Sequence, residues 1–326
     1  MALNQPSSDA PTINTTGRAT PVTGARINTL KEARTSRSLW SDAWRRLRKN
    51  KLAVAGLIVI GILTLIAIFA PLIAPYSYRE VVYSGKTNAG PGDAGLLGAD
   101  NLGRDVFSRL LYGARISLSV GLVVQLVVVI IGVPLGALAG YFGGWVDTLI
   151  SRFTDIMYAF PSLLLIILLN SALRESPIKQ LLGGLLVIFI AIGLAAWVGD
   201  ARLMRGQIIT LKNREYVEAA RALGARPTRI LFKHLLPNAI GPLIVSITFG
   251  IPAAIFSEAA LSYLGFGVIP PTPSWGAMIN EGQQAIFFAP TQVLFPGLAI
   301  AITMLSFTFL GDGLRDALDP RGKRGG

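Results

Sequence analysis

The chain has no cysteine and a single histidine, His234. The first absence excludes disulfides and thiol chemistry. The second excludes a histidine-built zinc site, which one imidazole cannot form alone. Charge is also scarce: Asp, Glu, Lys and Arg make up 15% of the 326 residues, whereas a soluble domain usually carries about 25%. No nucleophile–base pair and no cluster of metal ligands stands out, which leaves little from which to build an enzyme. Gly85-Lys86-Thr87 has the end of a phosphate loop, but the position that needs the leading glycine is Glu80.

Apolar residues dominate, at 52% of the chain. They gather in six runs, 52–74, 116–140, 156–173, 181–199, 239–257 and 292–311, all free of Asp, Glu, Lys, Arg and His. Crossing a bilayer core takes about 20 apolar residues. A buried soluble core explains one such run but not six. The pattern predicts an all-α membrane protein with six transmembrane helices, of which 156–173 is the shortest. The net charge is +12, a value that by itself suits nucleic acid. Its distribution argues against that partner. With the runs threaded back and forth, 23 of the 30 Lys and Arg fall on the side of the two termini and seven on the other. That bias predicts cytoplasmic N- and C-termini, with the basic side facing anionic membrane lipid.

Residues 1–38 are rich in Ser, Thr, Pro and Ala and lack apolar periodicity, which predicts a disordered cytoplasmic tail. In 39–51, Leu39, Trp40, Ala43, Trp44 and Leu47 recur at helical spacing beside Arg45, Arg46, Arg48 and Lys49, as in an interfacial amphipathic helix. The run 52–74 is too long for a signal-peptide core and reads as an uncleaved span. Segment 75–115 is polar and extracytoplasmic, 116–311 holds the five remaining spans, and 312–326 is a second cytoplasmic tail. Gly132, Gly136 and Gly140, at four-residue intervals in the second span, form a ridge for close helix packing. Pro134 within that ridge predicts a kink. Glu258 sits at the outer end of the fifth run, and Asp200 and Arg202 at the inner end of the fourth. No carboxylate near the midplane is evident, and no internal repeat. Both count against a secondary, proton-coupled transporter.

The most informative stretch is 213–237, a basic loop between two apolar runs. Asn213 is a candidate N-cap, and Glu215 suits the positive end of a helix dipole. Tyr216, Val217, Ala220 and Leu223 recur on one face. Gly224 suits a left-handed helix end, and Pro227 starts a second helix. Ile230, Leu231, Leu235 and Leu236 give that helix an apolar side, and Pro237 is read as closing it before the fifth span. The expected product is two short helices at an angle, a slim knob able to transmit a push.

Glu218-Ala219-Ala220, then Gly224, then Leu236-Pro237, closely resembles the EAA coupling loop of bacterial ABC-importer permeases. One departure is His234, where the general pattern has Ile. His-x-Leu-Pro-Asn at 234–238 is instead similar to the peptide-transporter branch. So are GADNLGRDVFSRLLYGARISL (98–118), SEAALSYLGFGVIPPTPSWGAMI (257–279) and GDGLRDALDPR (311–321). From about Leu39 to Arg321 the chain resembles the C-type transmembrane subunit of dipeptide, oligopeptide and nickel importers.

The resemblance implies a type I ABC-importer permease fold in the bacterial inner membrane. It implies a homologous permease as the other half of the pathway, two ABC ATPase subunits that use ATP and Mg, and an extracytoplasmic substrate-binding protein. This chain would bind no cofactor and would not itself be catalytic. The cargo would be peptide, with glutathione or nickel chelates as alternatives. Glu218 and Arg221 would contact the ATPase, with Ala219, Ala220 and Gly224 buried against it. Outside, the Pro-rich loop 266–291, with Pro271, Trp275 and Glu281, suits contact with the binding protein, a gate, or a packed cap. Asp100, Arg104 and Asp105 are further candidates for the binding-protein surface. A second Glu-Ala-Ala, at 258–260, has Leu264 where Gly224 stands in the first and is not expected to couple.

Overall fold

A computed structural model describes residues 39–177 and 184–319. The chain divides into two units, Met1–Ser41 and Asp42–Gly326. Of the first, residues 39–41 are described, as a helical turn; the tail expected over 1–38 lies outside the described residues, as do 320–326. The helices are α1 (Leu39–Lys49), α2 (Lys51–Ile73), α3 (Val106–Phe142), α4 (Gly144–Ala159), α5 (Ser162–Arg174), α6 (Leu185–Lys212), α7 (Glu215–Ala222), α8 (Pro227–Tyr263), α9 (Trp275–Gly282) and α10 (Thr291–Leu318). No strand occurs among the described residues, only isolated bridges such as Val81 with Arg104. This all-helical solution follows from lipid, which offers no hydrogen bonds to unpaired backbone.

Five helices, α2, α3, α6, α8 and α10, are long and apolar enough to cross a membrane. The third run is not a straight span. α4 and α5 meet at 94°, with the break at Phe160-Pro161. Proline lacks the N–H that would continue the helix and disfavours helical geometry in the residue before it. An apolar-run count cannot see that interruption.

The other spans outrun their apolar cores. α3 begins at Val106 rather than 116, because Asp105 caps it: its carboxylate accepts the Ser108 N–H at 2.7 Å. α6 continues past 199 to Lys212, so Asp200 lies near the middle of its helix and not at the inner end. Its polar last turns are stabilised laterally, with Arg202 on Asp155 at 2.9 Å and Arg205 on Asp147 at 2.5 and 2.7 Å. α8 begins at Pro227 and passes through Pro237 without a turn. A π-helical stretch, Ile230–Leu235, precedes that proline, with Leu236 N–H bonding the Leu231 carbonyl. The wider winding gives room for a ring that would otherwise crowd the carbonyl four residues back. Asn238 Nδ2 takes the His234 carbonyl at 2.6 Å.

α3 and α6 pack along most of their length. The glycine ridge explains how. A Cβ at Gly132 would fall 2.8 Å from the Trp197 carbonyl oxygen, at Gly136 2.2 Å from that of Ala201, and at Gly140 2.7 Å from that of Arg205. Both helices step by four residues, so the contact repeats each turn. α2 and α10 meet through the same device, Gly56 against the Ser306 carbonyl and Gly313 against Ala53. α2 otherwise presents Leu52, Ile58, Ile62, Leu65, Ile68 and Leu72 outward, as a lipid-facing helix should. In α1, Ala43 and Leu47 pack against Ala53 and Ala317, while Trp44 points outward under the Arg48 guanidinium, 4.7 Å from its ring centre.

Replacing Gly136 by Val should lower the stability of the detergent-solubilised protein by about 1–3 kcal/mol or more, since backbone and not a flexible side chain lies in the way. Thermal unfolding measures it. An unchanged midpoint would show that α3 and α6 can separate at no cost.

Candidate functional site

At one end of the bundle, α7 and the first turns of α8 form the knob expected over 213–237. Asn213 ends α6, and Arg214 rather than Asn213 occupies the N-cap of α7. The α7 end is closed by two bonds, Gly224 N–H to the Arg221 carbonyl at 2.9 Å and Ala225 N–H to the Ala220 carbonyl at 3.0 Å. This closure needs a left-handed residue, and Gly224 supplies it at φ +79. Pro227 stands at the first position of α8.

The expected shared face of α7 splits. Val217 is fully buried and joins Ile230, Leu231, Leu235, Met204 and Ile208 in one apolar cluster that roots the knob on α6. Tyr216 leans toward the His234 ring, 6.5 Å between centres. Leu223 points outward, 88% exposed, and so does Phe232 at 67%. Glu218, Ala219, Arg221, Gly224 and Pro237 are exposed, Ala220 and Leu236 half-buried. A groove of ≈ 960 Å³ runs between the two helices, lined by Ala220, Leu223, Gly224, Arg229, Phe232 and His234. Phe232 was not singled out by sequence, and Leu223 was grouped with Val217 on one face, because apolar residues in a helical pattern read as core.

The opposite end is tied by charge. Arg104 Nε donates to Asp100 Oδ2 at 2.6 Å and its Nη2 to Glu281 Oε2 at 2.8 Å. Arg109 donates to the same Asp100 oxygen and grips Glu281 through two nitrogens, at 2.5 and 3.1 Å. Two cations balance two carboxylates, which lets the first turns of α3 carry buried charge. Around them, Gln292 Nε2 on α10 holds the Ala99 carbonyl at 2.9 Å and the Asn88 side chain at 3.1 Å. Burial first, then the Asp105 carboxylate, raises the Tyr83 phenol above its ordinary value.

Asp100, Arg104, Asp105 and Trp275, expected at a binding-protein contact or gate, do not lie open on the surface. All four are buried, and the charged three are occupied by one another, by Glu281 and by the cap of α3. Trp275 packs against Gly113 and donates to the Leu110 carbonyl at 3.2 Å. Pro271, after a cis peptide bond, stays exposed. Helix α9 inside the outer loop was missed, although Ser274 before an apolar stretch is an N-cap signal: its hydroxyl accepts the Ala277 N–H at 3.1 Å. Glu258 is fully buried, one oxygen accepting from Ser262 at 2.6 Å and Ser274 at 2.7 Å. The second Glu-Ala-Ala thus lies inside α8, far in sequence and in setting from the exposed knob.

With these two ends described, comparison with known proteins is decisive. A family model for the binding-protein-dependent transport system inner membrane component matches residues 132–324, the stretch that holds the knob. The chain belongs to this family. A second model, the N-terminal TM domain of oligopeptide transport permease C, matches residues 38–91 of the permease. The permease is 45% identical over 291 residues to the oligopeptide transport system permease protein OppC of Bacillus subtilis, covering 89% of this chain and 92% of that one. It is 45% identical to the dipeptide transport system permease protein DppC of Alkalihalophilus pseudofirmus, with the same coverage. With the glutathione transport system permease protein GsiD of Pectobacterium atrosepticum it shares 41% identity, over 87% of this chain and 92% of that one. Among solved structures, inward-facing forms of the MetNI methionine ABC transporter share its fold, with a TM-score of 0.50, 22% identity, and coverage of 65% of this chain and 96% of that chain. The permease is accordingly a multi-pass bacterial inner-membrane protein of an ABC import system.

Arg109→Met should leave Asp100 and Glu281 competing for one guanidinium and lower stability by about 3–5 kcal/mol. Adding Glu281→Gln should recover part of that loss in thermal unfolding. Equal midpoints for all three proteins would dismiss the cluster as a brace.

Proposed function

We propose that this chain forms half of the transmembrane pathway of an ATP-driven importer of di- or oligopeptides. A homologous permease supplies the other half, and two ABC ATPase subunits, which carry ATP and Mg, bind on the knob side. The chain itself holds no cofactor and catalyses no reaction. An extracytoplasmic binding protein delivers the peptide at the opposite end, near the exposed Pro271 and the partly exposed Glu281. The distribution of Lys and Arg supports cytoplasmic termini and a cytosolic knob, with α1 at the anionic lipid surface. Nucleic acid has no part in this reading.

One observation carries it: α7 and the start of α8 project a small, rooted apolar tip, Leu223 and Phe232, framed by Glu218, Arg221 and Arg229. Exposed apolar side chains inside a charged rim are the signature of a docking surface. Ala219, Ala220 and Gly224 keep the tip slim enough to enter a cleft, Glu218 and Arg221 offer polar contacts to the ATPase at its rim, and Leu236-Pro237 joins it to the span. ATP-driven closure of the ATPases moves the knob. α8 passes that motion on as one helix of 37 residues, about 55 Å at 1.5 Å per residue. The spans then exchange between two packings with access on alternate sides. The likeness to GsiD supports glutathione as a second cargo, and the branch resemblance leaves nickel chelates as a third.

In the reconstituted transporter, Gly224→Glu and Leu223→Asp should each abolish peptide uptake and binding-protein-stimulated ATP hydrolysis while the permease still folds. Wild-type stimulation in both variants would remove the knob from the coupling path. Uptake by this chain alone, without ATPases, would replace the importer with a secondary transporter.

A further inference from the structure

Midway through the bundle lies a second concave surface, a cavity of ≈ 340 Å³ between α3, α6 and α8. Its polar lining is Gln125, Asp200, Ser246 and Ser257; Ile192, Phe249 and Ala253 are among the apolar residues that complete the wall. Asp200 stands about 20 Å from either end of α6 at 1.5 Å per residue. It is 6% exposed, and Ser246 Oγ donates to one of its oxygens.

No basic side chain answers it. Arg202, one turn-half away, is turned to Asp155 at 2.9 Å and lies over the Tyr158 ring at 4.5 Å. Arg205 is engaged by Asp147. Among the described residues no ion pair reaches Asp200. Gln125 is equally buried at 6%, and its Oε1 has no hydrogen-bond partner. Space has been cleared for that amide: a Cβ at Gly250 would fall 2.1 Å from Gln125 Nε2.

An uncompensated carboxylate and an unsatisfied carbonyl oxygen are both costly in a buried setting. Both residues line this one cavity, and among the described residues no ion pair reaches it. We propose that this cavity is a transit subsite that binds the primary ammonium group of the cargo, the N-terminus of a peptide, with Asp200 as counter-charge and Gln125 Oε1 as second acceptor. The apolar wall then faces the first side chain. A hard metal ion fits less well, since it needs six or more oxygen ligands and the wall supplies few. An ammonium needs three acceptors, and Asp200, Gln125 and Ser257 are three groups able to accept. The volume suits one or two residues, so the site would hold one end of the peptide as it passes. This inference rests on the importer reading and adds the chemical group recognised inside the membrane.

The probe is tritiated trialanine, compared with its N-acetyl form, on the complete transporter solubilised without the binding protein. The wild type should bind free trialanine about tenfold more tightly than the blocked form, the scale of a charge-assisted hydrogen bond. Asp200→Asn, which keeps the shape, should bind both alike. Independently of any variant, free trialanine should slow modification of wild-type Asp200 by a hydrophobic carbodiimide, read by mass spectrometry, and N-acetyl-trialanine should not. Equal wild-type affinities, a preference that survives in Asp200→Asn, equal protection by both peptides, or displacement of the peptide by sodium would each overturn the subsite. The importer reading fails separately, if the wild-type transporter shows no ATP-dependent uptake at all.

Discussion

The near-contact of α3 and α6 is the constraint from which the other features hang. Three glycines bring the backbones together at Gly132, Gly136 and Gly140. In lipid there is no hydrophobic force between apolar helices, so this packing and the hydrogen bonds around it must hold the pair. The same contact fixes where α6 carries its polar groups. Asp200 faces the cavity from a position beside the Gly132 contact, and Arg205 reaches Asp147 on α4 just past it. Ile208, opposite Gly140, belongs to the cluster that roots the knob.

Charge inside this protein is sorted by compensation. The cluster at the end opposite the knob balances two arginines against Asp100 and Glu281, and it ties the segment before α3 to α9. Glu258 is held by two serine hydroxyls, one from its own helix and one from the cap of α9. Most of their polar atoms are engaged within the structure, with Arg109 Nε and Glu258 Oε2 left without a partner. Gln125 Oε1 is unpartnered as well, and it differs in that Gln125 lines a cavity together with Asp200.

α8 links the two ends. It starts in the knob, passes the cavity at Ser246 and Ser257, and ends against the outer cap through Glu258 and Ser262. The proposed coupling uses this continuity, which would carry a displacement of the knob toward both the cavity and the cap. The π-helical stretch before Pro237 keeps that continuity where a proline would otherwise interrupt it.

Composition and pattern alone determined the class of this protein. Long charge-free apolar runs leave no alternative to membrane helices, because only internally bonded backbone survives in lipid. The Glu-Ala-Ala, Gly and Leu-Pro spacing marked the knob, because Gly224 must adopt a left-handed conformation that few residues tolerate. What sequence could not decide is anything set by neighbours distant along the chain. The burial of Arg109 in the first turns of α3 depends on the charges of Asp100 and Glu281. The exposure of Leu223 and Phe232, beside the burial of Val217, depends on where α6 stands. The sequence around Asp100, Arg104 and Asp105 does not show the partners that bury them, and the apolar run that stops before Asp200 does not show that α6 continues to Lys212. A run of letters records which groups are charged; only packing records whether each charge has been met.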